Sequence, residues 1–251
     1  MNSPAVLVTG AGTRLGSLFA RHMAGLGYDL ALHCNASLDD ARQLAQELRS
    51  LGRKCEIFVQ DFMEPFDTDD FIANVQARFP NLECVINNAS AYQPALSQNT
   101  SRALLESQFR VNFVTPFLLA GSFARGIGKG QVINILDNKI AYHQYHYSAY
   151  LLSKKSLAEF TKMAALELAP DIRVNGIAPG VTLPNESRDS AYLGWRIEGI
   201  PLGKKGSDTH LMTALDYLLQ NDFVTGQILF VDGGESLNQV GRNSENFLDA
   251  Q

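Results

Sequence analysis

Short apolar runs rich in β-branched residues alternate along the chain with longer segments whose apolar residues recur at helical spacing. The short runs predict strands at Ala5–Thr9, Asp29–Cys34, Lys54–Val59, Leu82–Asn87, Gln131–Leu136, Ile172–Ala178 and Gln227–Val231. Between them lie amphipathic stretches such as Leu38–Leu51, where Ala41, Leu44, Ala45 and Leu48 share a face, and a helical pattern from about Tyr147 to Leu168. Strand–helix alternation implies βαβ units and a parallel sheet. Strands this apolar need helices on both faces. No Pro-, Gly- or Ser-rich linker divides the chain, so the expectation is one doubly wound α/β domain over residues 1–251 with a seven-stranded parallel sheet. Two segments break the regularity. Asn185–Lys205 lacks a clean period, which predicts an irregular substrate loop over about 183–205. Glu235–Gln251 is polar and reads as a tail whose last residues are mobile.

Composition narrows the class. With 251 residues, 45% hydrophobic and 19% charged, the chain can bury a large core without metals or disulfides. The formal net charge of -5 comes without a concentrated basic face, which argues against a nucleic-acid partner. Cys34, Cys55 and Cys84 are widely spaced in apolar stretches and read as buried, reduced thiols. The N-terminus runs directly into Ala5-Val6-Leu7-Val8, with neither a signal peptide nor a membrane span, and predicts a soluble cytoplasmic protein.

Candidate chemistry begins at Thr9-Gly10-Ala11-Gly12-Thr13-Arg14-Leu15-Gly16, after the first strand and opening a helix. Glycines permit a tight turn and close approach to a pyrophosphate, and the helix N-terminus offers free N–H groups to that anion. A glycine cluster can also be only a tight turn, but its place after the first strand favours dinucleotide binding. The second strand ends His33-Cys34-Asn35-Ala36-Ser37, with no acidic residue before Asp39 to hold ribose hydroxyls. A cation in the glycine turn without that carboxylate suits a 2′-phosphate, so NADPH is expected over NADH. The alternative is that Arg14 only covers the helix end.

Tyr150-Leu151-Leu152-Ser153-Lys154 places a phenol and an ammonium four residues apart on a helix. A neighbouring cation is expected to bring the phenol pKa down from roughly 10 toward the working range. Tyr-x-x-x-Lys alone is common on solvated helix faces, and its weight comes from the other motifs.

Those motifs are Thr9–Gly16, Asn87-Asn88-Ala89-Ser90, Asn112, the Tyr150/Lys154 pair, Pro179-Gly180, Phe223-Val224-Thr225-Gly226 and Val231-Asp232-Gly233-Gly234. In order and spacing the chain resembles the short-chain dehydrogenase/reductase family over nearly its whole length. The resemblance implies a Rossmann-type fold and a homotetramer built from helix pairs and the last strand. It implies Tyr150, Lys154 and Asn112 as catalytic residues, with Asn112 helping to position a water and the lysine, and puts Asp137 at the place of the family's catalytic serine. Lys154 would also bind the nicotinamide ribose, Asn87–Ala89 would border the adenosine side, and Asp61 would lie near the adenine. The full cofactor set is Gly10, Gly12, Thr13, Arg14, Leu15, Gly16, His33, Asn35, Ser37, Asp61, Asn88, Ala89, Ser90, Lys154, Pro179, Gly180 and Thr182. No metal is expected.

Three departures from the family pattern coincide. Arg14 replaces the central glycine of TGxxxGxG, Asp137 replaces the serine thirteen residues before the tyrosine, and NNAG reads Asn-Asn-Ala-Ser before Ala91 and Tyr92. Together they resemble the pteridine reductases and, through Val174–Glu186 and Asp216–Gly226, the bacterial dihydromonapterin reductases. This implies reduction of a dihydropterin, with dihydrofolate as a slower substrate. The substrate set is then Arg14, Ser90, Tyr92, Asp137, Tyr150 and Leu183, with Tyr92 stacking the pterin and Asp137 sharing a proton with Tyr150. Where protozoan pteridine reductases carry an Arg after the second strand this chain has Ala36, so NADPH preference leans on Arg14, with Ser37 and His33 as minor helpers. Two other readings stand beside this one: a generic carbonyl or 3-oxoacyl reductase, and a non-catalytic NADP(H)-binding protein. His143 and His146 read as loop or pocket-wall residues, and Trp195 as either a pocket cap or a packing residue.

Overall fold

The structure, a computed structural model, describes residues 3–183 and 190–238. Seven parallel strands form one sheet in the order β3-β2-β1-β4-β5-β6-β7. The strands are β1 (Ala5–Val8), β2 (Asp29–Cys34), β3 (Cys55–Val59), β4 (Leu82–Asn87), β5 (Gly130–Ile135), β6 (Ile172–Pro179) and β7 (Ile228–Val231). Between them run α1 (Arg14–Gly25), α2 (Leu38–Ser50), α3 (Thr68–Arg78), α4 (Arg102–Phe109), α5 (Thr115–Gly126), α6 (Ser148–Glu167), α7 (Ser190–Glu198) and α8 (Asp208–Gln220). Each expected strand is present with its ends shifted by a residue or so.

The alternation of side chains along each strand divides the core in two. Val6, Val8, Leu30, Leu32, Ile133 and Ile177 pack on one face against Phe19 and Met23 of α1, Leu44 and Leu48 of α2, and Leu211, Leu215 and Leu218 of α8. Leu7, Val85, Val132 and Val174 point the other way, toward Ile72 and Val75 of α3, Leu119 and Phe123 of α5, and Leu157 and Phe160 of α6. The three cysteines are buried and unpaired, as the sequence predicts. No described helix is long and apolar enough to cross a membrane.

Two expectations change. Residues 190–198 of the expected irregular loop form helix α7, while residues 184–189 lie outside the described ones. Its inner face carries Tyr192, Leu193 and Arg196, and a cation on the buried face hides the apolar period. The expected polar tail begins instead with a single 3-10 turn, Glu235–Leu237, in which Glu235 is fully packed. Residues 239–251, including the end expected to be mobile, lie outside the described ones.

Phe123 is fully buried between α5 and the sheet. Phe123→Ala leaves a cavity there and is expected to cost about 3–5 kcal/mol of unfolding free energy in a urea titration.

Candidate active site

The strand order reverses between β1 and β4, so their connections diverge to opposite faces and leave a crevice at the carboxyl ends. A cleft of about 730 Å³ opens there. Into it the fold brings Gly10, Thr13, Arg14, Leu15, Gly16, His33, Asn35, Ser37, Asp61, Asn88, Ala89, Ser90, Tyr92, Asp137, Tyr150, Lys154, Pro179, Gly180, Thr182 and Leu183. Of the expected site residues, Gly12 and Asn112 do not line it.

The first turn is built by close backbone approach. Gly10 has φ +62, and a Cβ there would come within 2.9 Å of the Ala89 Cα. A Cβ at Gly16 would overlap the Gly10 carbonyl oxygen. Gly12 is not part of the lining itself, although Ser37 is, and a Cβ on Gly12 would strike the Ser37 side chain. Its glycine therefore serves the packing of the loop after β2. The Thr9 hydroxyl accepts from the N–H groups of Asn88 (2.9 Å) and Ala89 (3.0 Å), and the Asn88 amide donates to the carbonyls of Thr9 (3.0 Å) and Gly10 (3.1 Å). These bonds join the ends of β1 and β4 across the floor of the cleft.

Arg14, where the family has glycine, keeps a glycine-like backbone with φ 51, the only non-glycine positive φ among the described residues. Its guanidinium spans the cleft mouth and donates to the Leu183 carbonyl at 2.9 Å. His33 does not act as a cation. It is 2% exposed, stacks on Phe62, accepts from the Gly10 N–H at Nδ1 (3.1 Å) and bonds the Gln60 carbonyl through Nε2 (2.9 Å). Burial holds its pKa down at about 4, so it remains neutral and braces the glycine turn. Asp61 accepts from the Met63 N–H at 2.8 Å at the same end of the cleft.

At the other end, α6 aims Tyr150 and Lys154 inward from one face. The Tyr150 hydroxyl donates to Asp137 Oδ2 at 2.8 Å, while Asp137 Oδ1 accepts from the Lys139 N–H at 2.8 Å. Lys154 Nζ donates to the Ile135 carbonyl at 2.8 Å. Contrary to the sequence expectation, the Tyr150 pKa lies well above the ordinary tyrosine value. Burial is the larger cause, and the Asp137 carboxylate is the next. Burial favours the neutral amine of Lys154 and lowers its pKa to about 8, with Asp137 opposing. The phenol is therefore held protonated, the reverse of phenolate activation.

Asn112 stands behind this pair, fully buried in a π-helical turn, 110–114, between α4 and α5. Its oxygen accepts from the Ala91 N–H (2.8 Å) and the Ser90 hydroxyl (3.0 Å). Its amide donates to the Ala91 carbonyl (2.8 Å) and to Ser153 Oγ (3.0 Å), and that hydroxyl bonds the Tyr150 carbonyl at 2.6 Å. Asn112 thus fixes Ser90 and helix α6 rather than bonding Lys154.

Tyr92 stacks on Tyr147 (5.0 Å, 23°) and meets Tyr150 edge-on (4.8 Å, 87°), leaving it 47% exposed at the cleft. Lys139, Tyr192, Leu193 and Arg196 are among the further wall residues, and sequence reasoning did not single them out. His143 and His146 lie off the cleft lining, and Trp195 sits against Tyr192 beside it.

Arg14→Gly removes the cost of a left-handed side-chain-bearing residue, at the loss of an exposed hydrogen bond. Unfolding free energy is expected to rise by about 1 kcal/mol in chemical denaturation, while the cleft loses the Arg14 guanidinium.

The fold and cleft have known counterparts. Dihydromonapterin reductase of Enterobacter sp. (strain 638) is 28% identical over 242 residues, covering 93% of this chain and 97% of that protein. Pteridine reductase 1 of Leishmania tarentolae is 27% identical over 284 residues, covering 95% and 98%. The crystal structure of FolM alternative dihydrofolate reductase 1 from Brucella canis, complexed with NADP, superposes with a TM-score of 0.88 at 30% identity over 96% of this chain and 97% of that one. The short chain dehydrogenase profile matches residues 4–191, and the chain belongs to that family.

Proposed function

We propose that this protein reduces a dihydropterin to its tetrahydro form with NADPH. The observation that carries this reading is the 2.8 Å hydrogen bond from Tyr150 to Asp137, at the position where carbonyl reductases of the family use serine. Relatives named dihydromonapterin reductase and pteridine reductase, and a neighbour complexed with NADP, support it.

The cleft suits the cofactor in three respects. The Gly10–Gly16 turn leaves room only for backbone beside Ala89, α1 presents its N-terminus, and Asn35 rather than an acid follows β2. Gly10, Thr13, Leu15, Gly16 and the Arg14 guanidinium would hold the cofactor phosphates, and Asp61 and Asn88–Ala89 the adenosine. Lys154 would bind the nicotinamide ribose, near Pro179, Gly180 and Thr182. NADPH supplies the hydride.

The chain's own residues supply position and the proton. Tyr92 offers a flat face to a pterin ring. Arg14 offers a donor to its edge and Ser90, whose proton goes to Asn112, an acceptor, and Leu183 closes that side. Hydride addition to the carbon of the C=N bond leaves a pair of electrons on nitrogen, which takes one proton. Tyr150 remains protonated across the neutral range, so its hydroxyl is the donor in place. Asp137 accepts from that hydroxyl in the resting site and couples its reprotonation to solvent. The Lys154 ammonium offsets the phenolate that proton transfer creates. Exposed apolar residues at Val114, Phe117 and Leu118 on the α5 side and Phe230 on β7 support a homotetramer joined through helix pairs and the last strand. The site needs no membrane, and a cytoplasmic location follows from the same reading.

NADPH oxidation is to be followed with dihydromonapterin, dihydrofolate and an acetoacetyl thioester in parallel. Turnover of the pterin, with slower dihydrofolate, is expected; turnover of the thioester alone overturns the reading. Tyr150→Phe is expected to lower turnover by about 100-fold or more with NADPH affinity retained, and Asp137→Ser to abolish pterin reduction.

Lys154 is charged below about pH 8 and neutral above it. The kcat/KM for the pterin is therefore expected to fall as pH rises past that value. A flat profile up to the range of an ordinary lysine, roughly 10.4, would remove Lys154 from the charge balance.

A further inference from the structure

One buried ionic group has no part in the chemistry described above. Arg196 of α7 and Glu235, in the turn after β7, form a 2.6 Å salt bridge with side chains 7% and 2% exposed. The Arg196 side chain lines the cleft and also bonds Tyr192, while its Nε is buried without a partner. The second oxygen of Glu235 accepts from Asn138 Nδ2 at 2.9 Å, and its backbone carbonyl accepts from the Tyr142 hydroxyl. Asn138 follows Asp137 directly, and Tyr142 ends the 3-10 turn 138–141 that Asp137 begins. Glu235 therefore grips both ends of the turn that carries the proton-sharing carboxylate, and holds the cleft-wall helix with its other oxygen.

The segment after α7 is fastened to the turn after β7 that carries Glu235. Leu202 N–H donates to the Gly233 carbonyl at 3.1 Å, and the Asn238 amide donates to the Gly199 carbonyl at 2.6 Å. These bonds join backbone to backbone or an exposed amide to backbone, and neither reaches Asp137. The ionic group, by contrast, holds α7 through Arg196 and, through Asn138, the residue next to Asp137. Removing two charges from water is unfavourable, and apolar residues of similar volume often hold a fold as well or better. Stability alone does not account for an ion pair at this place.

We propose that Glu235 and Arg196 are positioning residues that set the width of the substrate half of the cleft, between Tyr192 and Leu193 on α7 and the Asp137–Tyr150 pair. Asn138 transmits the carboxylate's position to Asp137. The proposal rests on the pterin-reductase reading only for the choice of assay substrate.

The test compares two variants with the wild type by melting temperature, NADPH Kd, and separate KM and kcat. Arg196→Met combined with Glu235→Gln removes both charges together and keeps an acceptor for Asn138. It is expected to melt close to the wild type and bind NADPH within about twofold. Its KM for dihydropterin should rise about tenfold, with kcat changed less than about threefold. Asn138→Ala keeps the ion pair but cuts its link to Asp137, and is expected to lower kcat about tenfold with little change in KM.

Wild-type KM and kcat in the double variant overturn the proposal. So does a double variant that loses its fold, since the pair is then a stability element. An Asn138→Ala variant with unchanged kcat overturns the link to Asp137. Should the wild type turn over only the thioester, the pterin reading fails, while the same comparison run with the thioester still judges the positioning role.

Discussion

At the point where β1 and β4 end, two backbones lie so close that no side chain fits between them. Gly10 and Gly16 make room, and the Thr9 hydroxyl and Asn88 amide close the gap with hydrogen bonds. From this seam a continuous run of polar contacts leads inward. Ala89 is followed by Ser90 and Ala91, both gripped by Asn112, which bonds Ser153, which bonds the Tyr150 carbonyl. Inside a low-dielectric core such a run is rigid when every member is satisfied and costly when one is lost. The place offered to a pyrophosphate and the place of the phenol are thus parts of one connected framework.

The protonation balance at the other end of that framework differs from a simple tyrosine–lysine pair. Burial acts on both groups but in opposite directions, pushing the phenol up and the ammonium down, so each favours its neutral form. The Asp137 carboxylate counters this for Lys154 and reinforces it for Tyr150. A serine in its place carries no charge and has neither effect. The carboxylate thus reinforces the protonated phenol that burial already imposes and helps Lys154 keep its charge.

The strands were legible because each is a continuous apolar run bounded by polar residues, and the two-faced core follows from their alternation. The cleft residues were legible where motifs crowd short segments, as in Thr9–Gly16 and Asn87–Ser90. What escaped has a physical reason in each case. Helix α7 buries Arg196 on its inner face, so apolar spacing does not reveal it. Glu235 acquires its meaning from Arg196, 39 residues earlier, and from Asn138, 97 residues earlier. Gly12, expected at the cofactor, lies off the cleft lining and against Ser37, a placement that spacing alone does not carry. The direction of the Tyr150 shift depends on burial and on which oxygen meets the phenol, and neither is written in Tyr-x-x-x-Lys.

The π-helical turn around Asn112 has a consequence for the outer surface. α4, the π turn and α5 follow without a break over 102–126, and each residue of an α-helix advances by about 100° around its axis. A wide turn admits one extra residue and resets the angular phase of everything downstream. Here the reset turns Asn112 into the core while Val114, Phe117 and Leu118 remain partly exposed on the outside. Deleting one residue would rotate the inner and outer rows together. The local geometry that braces α6 and the outward bearing of an apolar face are therefore two readings of one angular offset, and neither can drift in sequence register without the other.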